Sequence, residues 1–277
     1  MKITLWGVRG SIPTFNPSTR VYGGNTSCIE VEEDGCMLVL DAGSAITNLN
    51  FSHNLDCPRI DILLTHLHID YIQGLSFFKP LFDPTKEVHI WGPHTHAHSL
   101  RTRLGRYFSP PLSPFYFRDL TCQLEVHEIG NSSFNIGPFT IQSAYVIHPG
   151  PTVGYRVTTP SGVFTYIPDH EPALGRGGLN HDIRWLSGSE LANEADLLLH
   201  DAQYTVEDYK LKKGWGHTTM EDALEFASVT KVKRLLLMHH DPTHSDAQLD
   251  ACYAQLKEKN SYPFPFEMAV EGTVIEL

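Results

Sequence analysis

The stretch ILLTHLHIDYIQGL, residues 62–75, decides how the rest of the chain is read. An apolar run ends at Thr65, and His66, His68 and Asp70 follow on alternate positions. A buried strand delivers the residues after it to a sheet edge, where alternating side chains can converge. Imidazole and carboxylate are ligands that borderline divalent cations accept, and three of them fall here within five positions. The pattern predicts a metal site assembled where strands end.

The same arrangement recurs further on. His148 follows QSAYVI, Asp169 follows VFTYIP, and His239 follows RLLLM. Any one of these alone reads as a structural or surface residue. Repeated, an apolar run followed by a ligand-type side chain predicts one shared site, because binding sites favour strand ends.

The surrounding pattern supplies the frame. ITLW, SCIEVEE, CMLVL and DILLT read as strands separated by turn residues, and EVHIW, FTIQSAYVIH, VGYRVTT, VFTYIPD, ADLLLHD and KRLLLMHH as further strands. FEMAVEGTVIEL is expected to close the sheet. TTMEDALEFASV predicts a helix capped by Thr218 with Glu221. Ser245 and Gln248 open a second helix, with Leu249, Cys252, Tyr253 and Leu256 as its apolar stripe. Two packed sheets with helices outside would bury these runs, in a single domain over residues 1–277. The proline-broken segment from Pro93 to Leu120 reads as a loop covering a site.

Composition narrows the function. Of 277 residues, 41% are hydrophobic and 19% charged, the balance of an ordinary globular protein. Five cysteines, an odd number with no C-x-x-C, read as reduced thiols. The opening MKITLWGVRGSIP breaks at Gly7 and Arg9, too early for an export signal, and no apolar run reaches bilayer length. A cytoplasmic location away from membranes is expected. A net charge of −11 lacks the broad positive field that draws in nucleic-acid polymers, so no such polymer is expected as partner.

Together these motifs resemble the metallo-β-lactamase superfamily over nearly the whole chain. The resemblance implies an α/β fold, a four-layer αββα sandwich with metals at one edge. It implies that His66, His68 and His148 hold a first ion, that Asp70 and His239 contribute to a second, and that Asp169 bridges. Tyr71 departs from the pattern by standing where that superfamily has a histidine. One firm zinc site and a weak second one are therefore expected, with manganese or iron also tolerated. His170 and His240 are candidates to replace the missing imidazole.

ADLLLHDAQY and GWGHTTMEDALEFA are similar to motifs of the tRNase Z branch, which implies that Asp201 and His217 act together on the leaving group. WGVRGSIP, YGGNTSC, DYIQGL, VHIWGP, PDHEP, GWGHTT and HHDPTHSD resemble, in order, cyclic-nucleotide phosphodiesterases of the anti-Pycsar type. The implied activity is hydrolysis of small 3′,5′-cyclic nucleotides by a homodimer, with Asp70, Asp201 and His217 in catalytic roles. Arg9 and Ser11 in GVRGS, and Asn25 in GGNTS, are candidate phosphate contacts. Two alternatives stand beside this reading: tRNA 3′-end processing, and a nucleotide-binding protein weakened by Tyr71.

Overall fold

Apolar runs too hydrophobic to face water on either side must be covered on both, and in the computed structural model they are. The structure describes residues 1–51, 57–174, 179, 183–259 and 262–277. Its first sheet contains β1 (Lys2–Gly7), β2 (Cys28–Glu33), β3 (Cys36–Leu40), β4 (Arg59–Leu63), β5 (Glu87–Pro93) and β6 (Gln123–Ile129). The second contains β7 (Ser132–Ile136), β8 (Phe139–Tyr145), β9 (Val153–Thr159), β10 (Gly162–Ile167), β11 (Leu197–Asp201), β12 (Leu235–Met238) and β13 (Phe266–Met268). A last strand, β14 (Val274–Glu276), returns to the first sheet, which runs β14-β1-β2-β3-β4-β5-β6; the second runs β13-β12-β11-β10-β9-β8-β7.

The helices are α1 (Ile46–Leu49), α2 (Ile69–Ile72), α3 (Leu100–Tyr107), α4 (Ser189–Ala192), α5 (Val206–Lys212), α6 (Met220–Val229) and α7 (Asp246–Lys259). Three apolar layers hold the sandwich. Leu5, Ile29, Leu38, Phe164, Tyr166, Leu199 and Met238 meet between the sheets. Leu224, Phe226, Leu249 and Leu256 of α6 and α7 cover the outer face of the second sheet. Ile62, Val88, Leu100, Leu104 and Phe108 fill the space outside the first. The layers are those of the expected αββα sandwich.

Three local expectations need correction. The segment from Pro93 to Leu120 is not a cover over a site. It contains α3, capped by Ser99 Oγ accepting from the Thr102 N–H, and it buries Leu100, Leu104, Phe108 and Phe117 in the core. Helix α6 is capped one residue later than expected, by Thr219 accepting from the Asp222 N–H. The closing segment divides: β13 pairs with β12 in one sheet and β14 with β1 in the other.

Parallel pairing positions the site. Strands β3 to β6 run parallel to one another, as do β10 to β13. The C-terminal ends of β4, β10, β11 and β12 therefore deliver their next residues to the same side of the sandwich, the place where open sheets bind ligands.

Candidate metal centre

Leu64 leaves β4 with its N–H on the Trp91 carbonyl, and Thr65 follows in the grip of Asp41. The Asp41 carboxylate accepts from the Thr65 N–H at 2.8 Å and from Thr65 Oγ1 at 3.0 Å. Thr65 Oγ1 in turn lies 3.0 Å from His66 Nδ1. With its own proton facing Asp41, that hydroxyl accepts the imidazole N–H and leaves His66 Nε2 bare. His148 is oriented by the same logic: its Nδ1 lies 2.7 Å from the Gly216 carbonyl, which can only accept, so Nε2 again carries the lone pair.

The bare nitrogens converge on Asp169. Its Oδ2 lies 3.4 Å from His66 Nε2 and 3.3 Å from His148 Nε2, and His68 Nδ1 is 3.2 Å from His148 Nε2. Its other oxygen, Oδ1, lies 3.3 Å from His239 Nε2, which is also 3.4 Å from Asp70 Oδ2. One carboxylate thus turns an oxygen toward each half of the cluster. The Ser11 N–H holds Asp70 Oδ2 at 2.9 Å.

Asp201, the last residue of β11, meets His217 on the loop before α6, with Oδ2 at 2.7 Å from Nδ1. The N–H groups of His170 and Gln203 also donate to this buried carboxylate, at 3.0 and 2.9 Å. The His217 ring stacks on His239 at 4.8 Å between centroids, which places the pair against the second half of the cluster.

These residues fit a divalent cation. His66, His68, His148 and Asp169 present ligand atoms within 4.8 Å of one another, and so do Asp169, Asp201, His217 and His239. His66 Nε2 is buried with no hydrogen-bond partner among the described residues. Burial pushes the pKa values of His66 and His148 down, so both imidazoles stay in the neutral form that binds metal. His239 shows what the carboxylates favour. Burial disfavours charge there, yet Asp169, the Asp70 contact and Asp201 raise it to about 9. The carboxylates call for positive charge, which a cation would supply.

Tyr71 is fully buried beneath this cluster, its ring 4.3 Å from that of His66. Its phenol donates to Asp169 Oδ1. Burial and the charge of Asp169 push its pKa well above 10, so it remains a protonated donor at the oxygen facing His239. Neither proposed substitute for the missing imidazole reaches the cluster. His170 Nδ1 and Nε2 are occupied by His200 and Ser187, at 3.0 and 2.8 Å. His240 Nε2 is held by the Ala269 carbonyl at 2.7 Å.

Two candidate phosphate contacts are also corrected. Arg9 is fully buried, with its guanidinium on the carbonyls of Gly23, Asp241 and His244. Asn25 donates to Glu271 at 2.6 Å and accepts from Ser44 Oγ at 2.9 Å. Both tie loops together. Ser11 does lie at the site, with φ of 59° and its hydroxyl accepting from Gln203.

Residues the sequence did not single out build the surroundings. Glu171, almost fully buried, accepts from the N–H groups of Gly214 and Gly216, both at 2.8 Å, and from Tyr209 at 2.9 Å. It thereby pins the loop whose Gly216 carbonyl orients His148. Gly216 has φ of 92°, and a Cβ there would lie 2.3 Å from His148 Nδ1, so only glycine serves. A Cβ on Gly10 would come within 2.7 Å of the His239 ring.

A family model described as Beta-lactamase superfamily domain matches residues 38–240. A Ribonuclease Z of Staphylococcus carnosus is 25% identical in an alignment covering 95% of each chain. Among solved structures, the metallo-β-lactamase fold protein YhfI from Bacillus subtilis superposes with a TM-score of 0.71 at 18% identity, covering 100% of this chain and 99% of that one. The short form of human tRNase Z gives 0.69 at 23%, with coverage of 100% and 99%. The Ribonuclease Z match overturns the expectation that a nucleic-acid polymer is excluded. Net charge averages a whole surface, whereas a polyanion is held by local groups and bound cations.

Proposed function

Taking as premise that this chain belongs to the β-lactamase superfamily and is a metal-dependent hydrolase, we propose that it is a phosphodiesterase of the Ribonuclease Z kind, cleaving an RNA phosphodiester. The observation that carries this reading is the buried Asp201–His217 pair set against the ligand cluster. Cleaving a phosphodiester expels a ribose oxygen, a poor leaving group that needs a proton. Asp201 is suited to that task because it stabilises the protonated imidazole. Burial alone would raise its pKa, but His217 holds it below the usual carboxylate range, so Asp201 stays ionised beside that ring.

His66, His68 and His148 would hold one cation, Asp70 and His239 would contribute to a second, and Asp169 would serve both. Bound there, a divalent cation supplies Lewis-acid stabilisation of phosphoryl charge and an acidified water. The chain's own groups do the rest. Asp41 and Gly216 fix which imidazole nitrogens are bare, and the Ser11 N–H orients Asp70. Trp215, 63% exposed between Gly214 and Gly216, offers an aromatic face for a base beside His217.

The net charge of −11 favours a second reading, hydrolysis of a small cyclic phosphodiester. The two are separated by incubating the protein with precursor tRNA and, in parallel, with 3′,5′-cyclic mononucleotides, in Zn²⁺ or Mn²⁺. Release of the tRNA 3′ trailer supports the first reading. Turnover of cyclic mononucleotides with intact tRNA replaces it by the second. Tight nucleotide binding with no turnover of either would make the protein a binding member of the superfamily.

A further inference from the structure

The tripeptide Glu-Val-His occurs twice, at 87–89 in β5 and at 125–127 in β6. These strands are parallel neighbours whose register sets His89 opposite Glu125 and Trp91 opposite His127. The two copies are therefore staggered by one pleat. Strand alternation puts Glu87, His89, Trp91, Glu125 and His127 on one face of the sheet. They lie along β5 and β6 themselves, whereas the catalytic cluster sits beyond the ends of other strands.

The stagger brings two imidazoles edge to edge. His89 Nδ1 and His127 Nε2 are 2.8 Å apart, and Glu125 Oε2 is 3.9 Å from His127 Nε2. Ligand atoms of all three residues fall within 4.8 Å of one another. The far side of His89 is also arranged for coordination. Its Nε2 lies 2.6 Å from Glu87 Oε1, and since an ionised carboxylate only accepts, the proton sits on Nε2 and Nδ1 is bare. A carboxylate behind an imidazole in this way is the usual support for a metal-bound histidine.

His127 is held just as firmly. Its ring stacks on Trp91 at 3.9 Å between centroids, and the Trp91 indole N–H donates to Asp61 Oδ1 at 2.9 Å. Asp61, Glu87 and Glu125 surround the pair, against the single cation Arg59 that these described contacts include. Burial and the neighbouring His89 push the His127 pKa down, keeping that imidazole neutral.

We propose that His89, His127 and Glu125 form a second, non-catalytic site for a borderline divalent cation such as zinc, linking β5 to β6. In the absence of the cation, a proton on His127 Nε2 bridges the two rings. When the cation binds, that proton moves to His127 Nδ1 and the freed lone pair coordinates. Two imidazoles and a carboxylate suit zinc, nickel or copper better than magnesium or calcium.

The test measures zinc bound per chain by elemental analysis after equilibrium dialysis against buffered Zn²⁺. The wild-type chain should hold one more ion than His127→Gln, with catalytic rates equal in the two. Glu87→Gln should keep the ligands but weaken this ion about 10–100-fold. Added Ni²⁺ should quench tryptophan emission in the wild type through Trp91, and do so less in His127→Gln. Should His127→Gln fail to fold, Glu125→Gln, at a more exposed position, takes its place. Equal zinc stoichiometry in wild type and ligand variant overturns the assignment, as does unchanged affinity in Glu87→Gln.

Discussion

Replacing Tyr71 with phenylalanine should strengthen the binding of the second catalytic ion. The phenol donates to Asp169 Oδ1, the oxygen turned toward His239 and Asp70, so a cation entering that half of the site must compete with a proton donor. A hydrogen bond to a charged group contributes about 1.5–3 kcal/mol net. Removing the competitor should therefore raise affinity for the second ion about 10- to 150-fold, at 1.4 kcal/mol per decade. The ring fills the same buried space in both residues, so its packing on His66 is retained. Calorimetric zinc titration of chelator-stripped protein reads the second step directly. Tyr71→His should go further, because it adds an imidazole as well as removing the phenol. An unchanged second step in Tyr71→Phe refutes the competition argument, and a weakened one would make the phenol oxygen a ligand.

Other consequences are open to measurement. His217→Ala should lower the turnover rate by about 10²–10⁴ with bound metal unchanged, and loss of ions instead would make His217 a ligand. Trp215→Ala should raise KM for an RNA substrate about 5- to 150-fold, from a stacking contribution of about 1–3 kcal/mol per base, while an abasic nucleotide at the cut site should abolish that difference. An equal effect on base-containing and abasic RNA would assign the residue to loop structure. Phe164→Ala, emptying a fully buried position between the sheets, should cost about 3–5 kcal/mol in urea unfolding, and a loss below about 1 kcal/mol would show that the sheets close over the cavity.

Four of the residues that meet in the cluster were legible because each closely follows, or ends, an apolar strand. His66, Asp169, Asp201 and His239 all bear that mark. Asp41 bears it too, after CMLVL, but its role depends on a backbone with φ of 62° that turns the carboxylate back onto Thr65. No local pattern reveals that. Arg9 and Asn25 failed for a different reason. Their residue types suit phosphate, yet their partners Asp241, His244 and Glu271 lie far along the sequence, and only the fold brings them within reach. In the Pro93–Leu120 segment, prolines masked the Leu100–Leu104 pair that anchors α3. The two copies of Glu-Val-His were visible as letters, but their shared face follows from strand register.

The divided ending of the chain makes the edges of both sheets depend on one late segment. β1, near the beginning, finds its outer neighbour in β14, and β12, which delivers His239, is flanked by β13. Both pairings join residues far apart in the sequence. His66, His68 and His148 lie well before that segment, whereas His239 leaves β12, which the segment flanks. Such long-range pairings also fold slowly, because loop-closure entropy precedes the contacts that offset it. The topology therefore makes closure of both sheet edges a late step of folding.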